Sequence, residues 1–453
     1  MKLDFLKKEP DSTRLVLVFA GWSAGPEIAR AIDLPGWDVA VAHDFTELSL
    51  DCGFMDEYYT IYLFAWSLGV YAASRVLSPE RITAAFALNG TLTPVDDYRG
   101  IPRAIFKGTA DNLNPRNLQK FRMRMMSNRE QKDAAIAFFP EVNDETRINN
   151  LQRQLYTILN SSQEQQQSAG LNWIRAYISR NDRIFPPDNM LRAWKETGDV
   201  EIVELDSGHF VEFEKIVGNI IPDRLKVARR FTKAADTYDA QAIAQCSIAV
   251  KLASKLSETG LKGGRFLEIG CGTGLLTREY RRHCDPDEVT FVDIAEIRPF
   301  GIFKNEKYIK GDAENWIEQQ SEKWDAIVSS SCIQWFSNVE RFFRNCEARL
   351  NDGGILAIST FLPGNLKELD KMRPSPLIYP DESELRGYLE PLFAEVKIEN
   401  EDIEVEFQSY RDMLMHLKHT GVGGSSSTAG LSNGTMRDIK RITYRPVYIV
   451  CRK

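Results

Sequence analysis

The sequence is poor in the residues that build metal sites and disulfide frameworks. It holds five histidines and seven cysteines, and the cysteines are scattered without C-x-x-C spacing. Reduced thiols in a cytoplasm fit this usage, and we expect no catalytic metal. No apolar run approaches the roughly 20 residues that a membrane-spanning helix needs, so we expect no membrane association. Residues 1 to 8 also lack the apolar core and cleavage site of a signal peptide.

Positive charge is not in excess either. The formal net charge is −7, which argues against a nucleic-acid partner. At 453 residues the chain is too long for one ordinary core, so we expect two or three domains. A composition with 43% hydrophobic and 27% charged residues favours globular domains over disordered segments.

A glycine-rich turn between a strand and a helix is the strongest motif in the chain. Residues 265 to 274 read Arg-Phe-Leu-Glu-Ile-Gly-Cys-Gly-Thr-Gly, and a helical pattern follows. Glycines at such a turn let a ligand approach the backbone where a Cβ would collide. Asp293 lies near the end of the next predicted strand, where an acid can accept both hydroxyls of a ribose. A tight turn alone also uses glycine, but this ordered set favours a nucleoside-containing cofactor.

The phrase Leu-Glu-Ile-Gly-Cys-Gly-Thr-Gly resembles the first motif of Rossmann-like S-adenosylmethionine methyltransferases. A dinucleotide site would more often read G-x-G-x-x-G. Asp312 ends a third predicted strand, where it could accept from the adenine amino group, and a helix N-cap is the alternative for it. The residues predicted to bind S-adenosylmethionine are Glu268, Gly270, Gly272, Gly274, Asp293, Asp312 and Ala313.

Three further residues are predicted to face the substrate. Gln334 and Trp335 follow the fourth strand in a loop that faces the methyl group in this fold. Tyr238 belongs to a helical segment before the glycine motif, and such segments often close over the methyl donor. Simple packing is the alternative for Tyr238.

The first half of the chain predicts a second α/β domain. Apolar runs at 14 to 21, 60 to 66 and 83 to 90 read as buried strands, with a helix after the second. Alternating strands and helices imply a parallel sheet with its site at the carboxyl ends of the strands. Ser67, in Ala-Trp-Ser-Leu-Gly, follows a strand as the nucleophile elbow of α/β-hydrolases does, and a helix N-cap is the alternative.

The order of the later polar residues supports the hydrolase interpretation. Asp182 and His209 follow two successive late strands, which gives the chain order Ser, Asp, His of α/β-hydrolases. In such a triad Asp182 orients His209, which takes the proton of Ser67. Asp97 and Asp111 also follow sheet-end loops and remain alternative acids. The backbone N–H groups of Trp22 and Leu68 are predicted to form the oxyanion hole.

A helical insertion at about 112 to 168 occupies the place of a hydrolase lid. Its basic residues are interleaved with phenylalanine and methionine. They are either a solvated face or a docking surface for an acidic carrier protein.

Residues 1 to about 220 resemble the pimeloyl-acyl-carrier-protein methyl ester esterases of the atypical α/β-hydrolase group. The likeness rests on Phe-Ala-Gly-Trp-Ser from residue 19, Phe-Ala-Trp-Ser-Leu-Gly from 64, Ala-Leu-Asn-Gly-Thr-Leu-Thr-Pro-Val-Asp-Asp from 87 and Gly-Ile-Pro from 100. It implies that Ser67 and His209 are catalytic.

Residues 225 to 453 resemble the malonyl-acyl-carrier-protein O-methyltransferases of biotin synthesis. Besides the glycine motif, the likeness rests on Arg-Phe-Thr-Lys-Ala-Ala-Asp-Thr-Tyr-Asp from 230, Ile-Gln-Trp from 333, His-Thr-Gly-Val from 419 and Ile-Thr-Tyr-Arg-Pro-Val-Tyr from 442. We place the domain boundary between residues 222 and 223, after a Gly-Asn-Ile-Ile-Pro-Asp segment.

Together the resemblances imply a bifunctional enzyme that makes and removes methyl esters on acyl carrier protein. The alternatives are a small-molecule methyltransferase fused to a generic esterase or thioesterase, and one fused to an inert hydrolase-like docking domain.

Overall fold

The fold was analysed in a computed structural model of the chain. It describes residues 1–128, 131–132, 138–139, 144–163, 170–370, 377–420 and 439–453. The chain forms two compact units, Met1–Val217 and Gly218–Lys453. The sequence-based boundary lies between 222 and 223, so residues 218 to 222 fall in the second unit instead.

The first unit is built on a seven-stranded sheet. The strands are β1 (Lys2–Lys7), β2 (Arg14–Phe19), β3 (Asp38–His43), β4 (Thr60–Trp66), β5 (Ala84–Leu88), β6 (Trp173–Ser179) and β7 (Glu201–Leu205). Their order is β1-β3-β2-β4-β5-β6-β7. Every residue of β2 and β4 is buried, as continuous apolar runs in the centre of a parallel sheet require. Only β1 is antiparallel; it pairs with β3 at the edge of the sheet and was not predicted from the sequence.

The α-helices described in the first unit are α1 (Leu68–Val76), α2 (Arg103–Asp111), α3 (Pro115–Arg124), α4 (Glu145–Ser161) and α5 (Pro187–Thr197); α6 (Phe213–Ile220) begins in this unit and ends in the second. Helices α2 to α4 form the insertion between β5 and β6. This insertion begins at Arg103, earlier than the predicted residue 112, because α2 starts directly after Pro102. Residues 129–130, 133–137, 140–143 and 164–168 of the predicted lid lie outside the described residues.

The second unit has a Rossmann-like sheet. Its strands are β8 (Arg265–Ile269), β9 (Glu288–Asp293), β10 (Glu306–Lys310), β11 (Trp324–Ser330), β12 (Leu350–Phe361), β13 (Glu395–Asn400), β14 (Ile403–Glu406), β15 (Arg441–Tyr444) and β16 (Pro446–Arg452). The main sheet has the order β10-β9-β8-β11-β12-β16-β13, and β14 and β15 pair separately. Strand order reverses at β8, so a crevice opens at the carboxyl ends of β8 and β11. The tail forms two strands, β15 and β16, which are separated by Arg445.

The α-helices in the described residues of the second unit are α7 (Arg224–Gln241), α8 (Ile243–Glu258), α9 (Leu275–Tyr280), α10 (Ala313–Trp316), α11 (Val339–Arg349), α12 (Lys367–Asp370), α13 (Glu382–Leu389) and α14 (Tyr410–His419). Residues 421 and 422, part of a segment quoted for the resemblance above, lie outside the described residues. Within the described ranges, the helices are too short or too polar for any of them to cross a lipid bilayer.

Candidate active sites

Ser67 sits on a strained turn between β4 and α1. Its φ of 58° is rare for a residue with a side chain, and it lifts the hydroxyl out of the line of the strand. The turn is crowded, because a Cβ on Gly69 would lie 2.5 Å from the carbonyl oxygen of Phe19. Ser67 occupies the N-cap position of α1, but its side chain makes no capping hydrogen bond. Its hydroxyl points to His209 instead.

Three predicted residues meet at this turn. Ser67 Oγ lies 2.9 Å from His209 Nε2, and His209 Nδ1 lies 2.7 Å from Asp182 Oδ2. The other oxygen of Asp182 accepts from the backbone N–H groups of Ile184 and Phe185, at 2.7 and 3.0 Å. The side chains of His209 and Asp182 are 1% and 0% exposed, so water does not compete for these bonds. The geometry is that of an activated nucleophile with an oriented base.

The alternative acids lie elsewhere. Asp111 is exposed and contacts Lys107 and Tyr156, and Asp97 accepts the backbone N–H of Arg103. Among the three candidates, only Asp182 contacts the histidine in the structure.

Residues that were not singled out from the sequence contact the backbone and the ring of His209. Asn89 Nδ2 and Trp66 Nε1 both donate to the carbonyl oxygen of His209, each at 2.9 Å. The ring of Phe185 stacks on the imidazole with centroids 5.9 Å apart. The only signal for Asn89 is its place at the end of a buried strand before a glycine. Its contact with His209, 120 residues later in the chain, could be recognised only from the tertiary structure.

A cavity opens beside Ser67. It is lined by Trp22, Ser67, Leu68, Ile101, Ile105, Phe106, Thr109, Phe121, Arg124, Leu155, Arg183 and Ile184. Trp22 and Leu68, the predicted oxyanion residues, thus border the nucleophile. The remaining lining is mostly apolar and comes largely from α2, α3 and α4, so it suits an acyl chain.

The glycine motif borders a second cavity, in the second unit. Its lining includes Glu268, Gly270, Gly272, Asp293, Asp312, Ala313, Tyr238 and Trp335. Gly270, Gly272 and Gly274 all have positive φ, at 67°, 51° and 84°. A Cβ on Gly272 would meet no atom within 4 Å, so open space lies beside this stretch of backbone. Gly274 caps α9 in the left-handed conformation and is not part of the lining.

The acids of the motif have different environments. Glu268 is 1% exposed and accepts from Thr277 Oγ1 and Tyr280 Oη, at 2.8 and 2.9 Å. Burial raises the pKa of Glu268 to about 8. Asp293 accepts from the N–H groups of Gly272 and Ala295, and burial raises its pKa as well. Glu268 therefore ties the strand to α9, while Asp293 fixes the glycine turn at the cavity wall.

Asp312 is less available than the sequence suggested. It caps α10 by accepting from the N–H of Glu314, and it forms an ion pair with Arg224. Arg224 also pairs with Glu314, so the first residue of α7 is held at the cavity rim. Near the other end of α7, Asp239 accepts from Thr273 and from Arg278. Neither of these two fastenings was predicted from the sequence. For the first, the only signals were a basic residue at the start of α7 and acidic residues at the start of α10.

Of the three residues predicted to face the substrate, two line the cavity and one does not. Trp335 and Tyr238 both line the cavity, joined through Phe231, whose ring centroid lies 6.2 Å from Trp335 and 6.1 Å from Tyr238. Gln334 is not in the lining; its amide folds back to donate to the carbonyl of Ser331 at 2.6 Å. A one-turn helix over Ile333–Trp335 directs these neighbouring side chains apart.

Comparisons with known proteins match each unit separately. Residues 1–217 match the family model described as pimeloyl-ACP methyl esterase BioG, and residues 238–388 match a methyltransferase domain. A crystal structure of BioG from Haemophilus influenzae is 32% identical and covers 47% of this chain and 95% of its own, with a TM-score of 0.43.

The relatives of the chain include malonyl-[acyl-carrier protein] O-methyltransferases from several bacteria. A malonyl-[acyl-carrier protein] O-methyltransferase of Bacteroides fragilis is 34% identical over 462 residues, which cover 97% of this chain and 92% of the relative. One from Haemophilus influenzae is 28% identical and covers 51% of this chain and 95% of its own length. The open glycine turn and the carboxylate of Asp293, which lies at the wall of the same cavity, fit the methyl donor that such domains use. S-adenosylmethionine is therefore the cofactor of the second unit. The match over nearly the whole length shows that the chain belongs to the malonyl-[acyl-carrier protein] O-methyltransferase family, in a form whose first domain matches the BioG model and precedes the methyltransferase domain.

Proposed function

We propose that the chain methylates the free carboxyl of malonyl-acyl carrier protein and hydrolyses the methyl ester of pimeloyl-acyl carrier protein. The hydrogen-bonded series Ser67–His209–Asp182 is the observation that carries the second activity, and the names of the full-length relative and of the matched esterase model support the pairing. The methyl ester hides a charge that fatty-acid enzymes would otherwise have to bury, since an unpaired buried carboxylate is costly.

In the hydrolase reaction, Ser67 Oγ forms a bond to the ester carbonyl carbon while its proton moves to His209 Nε2. The negative charge that develops on the carbonyl oxygen is held by the N–H groups of Trp22 and Leu68. When the C–O bond to the methoxy group breaks, His209 returns the proton and methanol leaves. Water then attacks the acyl-serine while His209 takes a proton from it. His209 passes this proton to Ser67 Oγ as the acyl–oxygen bond breaks, so pimeloyl-carrier protein is released and Ser67 is restored.

In the methylation reaction, S-adenosylmethionine supplies an electrophilic methyl group when bound. The malonyl carboxylate is ionised at neutral pH, so the second unit needs no strong base. Its residues align the reactants and exclude water. Asp293 would accept from the ribose hydroxyls, Ala313 would border the adenine, and Tyr238 and Trp335 would enclose the reacting end.

A groove on the insertion supports a carrier-protein substrate for the hydrolase. It has a volume of about 820 Å³ and lies between α2 and α3, with Arg116, Lys120 and Arg124 in its lining. Phe121 and Arg124 line both this groove and the cavity at Ser67. Basic side chains at the mouth of an apolar cavity suit an acidic carrier that delivers an acyl chain.

One reaction makes a methyl ester and the other removes one, so the enzyme must distinguish the two esters. The length of the acyl chain is the feature that distinguishes them. We expect the hydrolase to cleave the pimeloyl methyl ester and to spare the malonyl methyl ester, both presented on carrier protein. Equal rates on the two esters would contradict this selectivity. Methylation of carrier-bound but not free malonate would separate the proposal from a small-molecule methyltransferase.

A further inference from the structure

Three contacts between described residues join the insertion to the loop that follows β2. The indole N–H of Trp22 donates to the carbonyl oxygen of Leu151 in α4, at 2.9 Å. The Trp22 ring packs edge-on against Phe121 of α3, with centroids 4.9 Å apart. Arg122, the next residue of α3, donates through Nη2 to the carbonyl oxygen of Ser23 at 3.1 Å.

The loop needs such support. Ser23 has a φ of 67°, a left-handed conformation that a serine adopts at a cost. A Cβ on Gly21 would lie 2.8 Å from the Trp66 ring and 3.0 Å from Ser67 Cβ, so the loop also packs closely against the nucleophile turn. Trp22 lies between Gly21 and Ser23 in the chain. The direction of its backbone N–H therefore depends on how both of these neighbours are held.

Packing between α3 and the loop does not by itself require an arginine at position 122. The Arg122 guanidinium is half-buried, and it lies 5.2 Å from the ring of Phe139. Burial lowers the pKa of Arg122 to about 10, which reflects the cost of removing the charge from water. An apolar side chain would join helix to loop without that cost. The guanidinium adds a charge-assisted hydrogen bond to one carbonyl oxygen, directly after the predicted oxyanion donor.

We propose that Arg122 is a positioning residue for the oxyanion hole, and that with the Trp22 indole it makes the insertion a working part of the hydrolase site. This inference rests on the proposed esterase function. By fixing the Ser23 carbonyl, Arg122 orients the preceding backbone so that the Trp22 N–H points at the developing oxyanion. The insertion therefore contributes to the rate of bond formation as well as to substrate binding.

The test uses the full-length chain with Arg122→Gln and Arg122→Lys. Arg153→Gln is the matched control, because Arg153 is an exposed arginine on α4 of the same insertion. Hydrolysis of methyl pimeloyl-carrier protein and of p-nitrophenyl acetate is measured, together with inhibition by a trifluoromethyl ketone, which binds serine hydrolases as an oxyanion. Thermal melting checks the fold of each variant.

For Arg122→Gln we expect kcat to fall about 10- to 100-fold on both esters, because a small misplacement of a catalytic group has effects of that order. KM should stay unchanged, the ketone should bind more weakly by a similar factor, and Lys should restore part of the rate. Trp22→Phe, which removes the donor to Leu151 together with part of the buried ring, should act in the same direction if Arg122→Gln fails to fold.

Three results would overturn the inference. They are an unchanged kcat and ketone affinity in Arg122→Gln, a loss confined to the carrier-bound ester with a raised KM, and an equal loss in Arg153→Gln. The second result would make Arg122 a docking residue while leaving the esterase function intact. A wild-type chain that hydrolyses neither ester would reject both the inference and the proposed function.

Discussion

In the first unit, the reacting groups are side chains that already touch: Ser67, His209 and Asp182 form one buried series of hydrogen bonds. In the second unit, part of the wall of the site is the backbone of the glycine turn, and Gly272 leaves open space beside it. A serine nucleophile must be activated by the protein itself, whereas a methyl donor brings its own reactivity and has only to be held. The two sites therefore fail in different ways when single residues change.

The largest effect is expected for Ser67→Ala. Ester hydrolysis should fall on the order of 10⁶-fold in kcat, because the nucleophile is lost. Methyl transfer by the same protein should be unaffected. Mass spectrometry of the carrier-bound acyl group would measure both reactions in one sample. Residual hydrolysis close to the wild-type rate would mean that the triad is not the catalyst.

Asp182→Asn should lower kcat for hydrolysis by about 10⁴-fold, because the amide no longer selects the right tautomer of His209. Asp111→Asn is the control, since that exposed acid contacts Lys107 and Tyr156 and should leave the rate unchanged. Similar losses in both variants would contradict the assignment of Asp182.

Two glycine substitutions would sharpen the contrast with the cofactor site. Gly270→Ala should lower the melting temperature as well as cofactor affinity, because its Cβ would lie 2.2 Å from Cys332 Sγ. Gly272→Ala meets no atom within 4 Å, so it should cost the fold only about 1 kcal/mol of backbone strain. Its Cβ would nevertheless occupy the cradle, and affinity for S-adenosylhomocysteine should fall.

Calorimetric titration and thermal melting would separate these two outcomes. If Gly272→Ala bound S-adenosylhomocysteine as tightly as the wild type, the glycine turn would not be the contact surface of the cofactor.

The smallest change is expected for Glu268→Gln, and it concerns pH. Burial raises the pKa of Glu268 from 4.5 to about 8, so between these values the folded chain keeps a proton that the unfolded chain has lost. The free energy of unfolding therefore decreases as the pH rises through this window. The glutamine cannot ionise, so its melting temperature should fall less than that of the wild type between about pH 5 and about pH 8. Parallel melting profiles would show that Glu268 does not titrate in this way.

Both units contain features that local sequence could predict. The nucleophile turn and the glycine turn depend on backbone conformations that only a few residues allow, so the residue types reveal the geometry. Asp293 was predictable for a similar reason, because the end of a parallel strand fixes where an acid lies.

What the sequence determined by itself was therefore the pair of α/β units, the two turns and the set of candidate polar residues. Only the tertiary structure decided which acid reaches His209, that Asp312 pairs with Arg224, that Gln334 turns away from the cavity, and that α3 and α4 hold the loop at Trp22. Those contacts join residues far apart in the chain. Their existence depends on the packing of whole elements, which no short pattern of residues specifies.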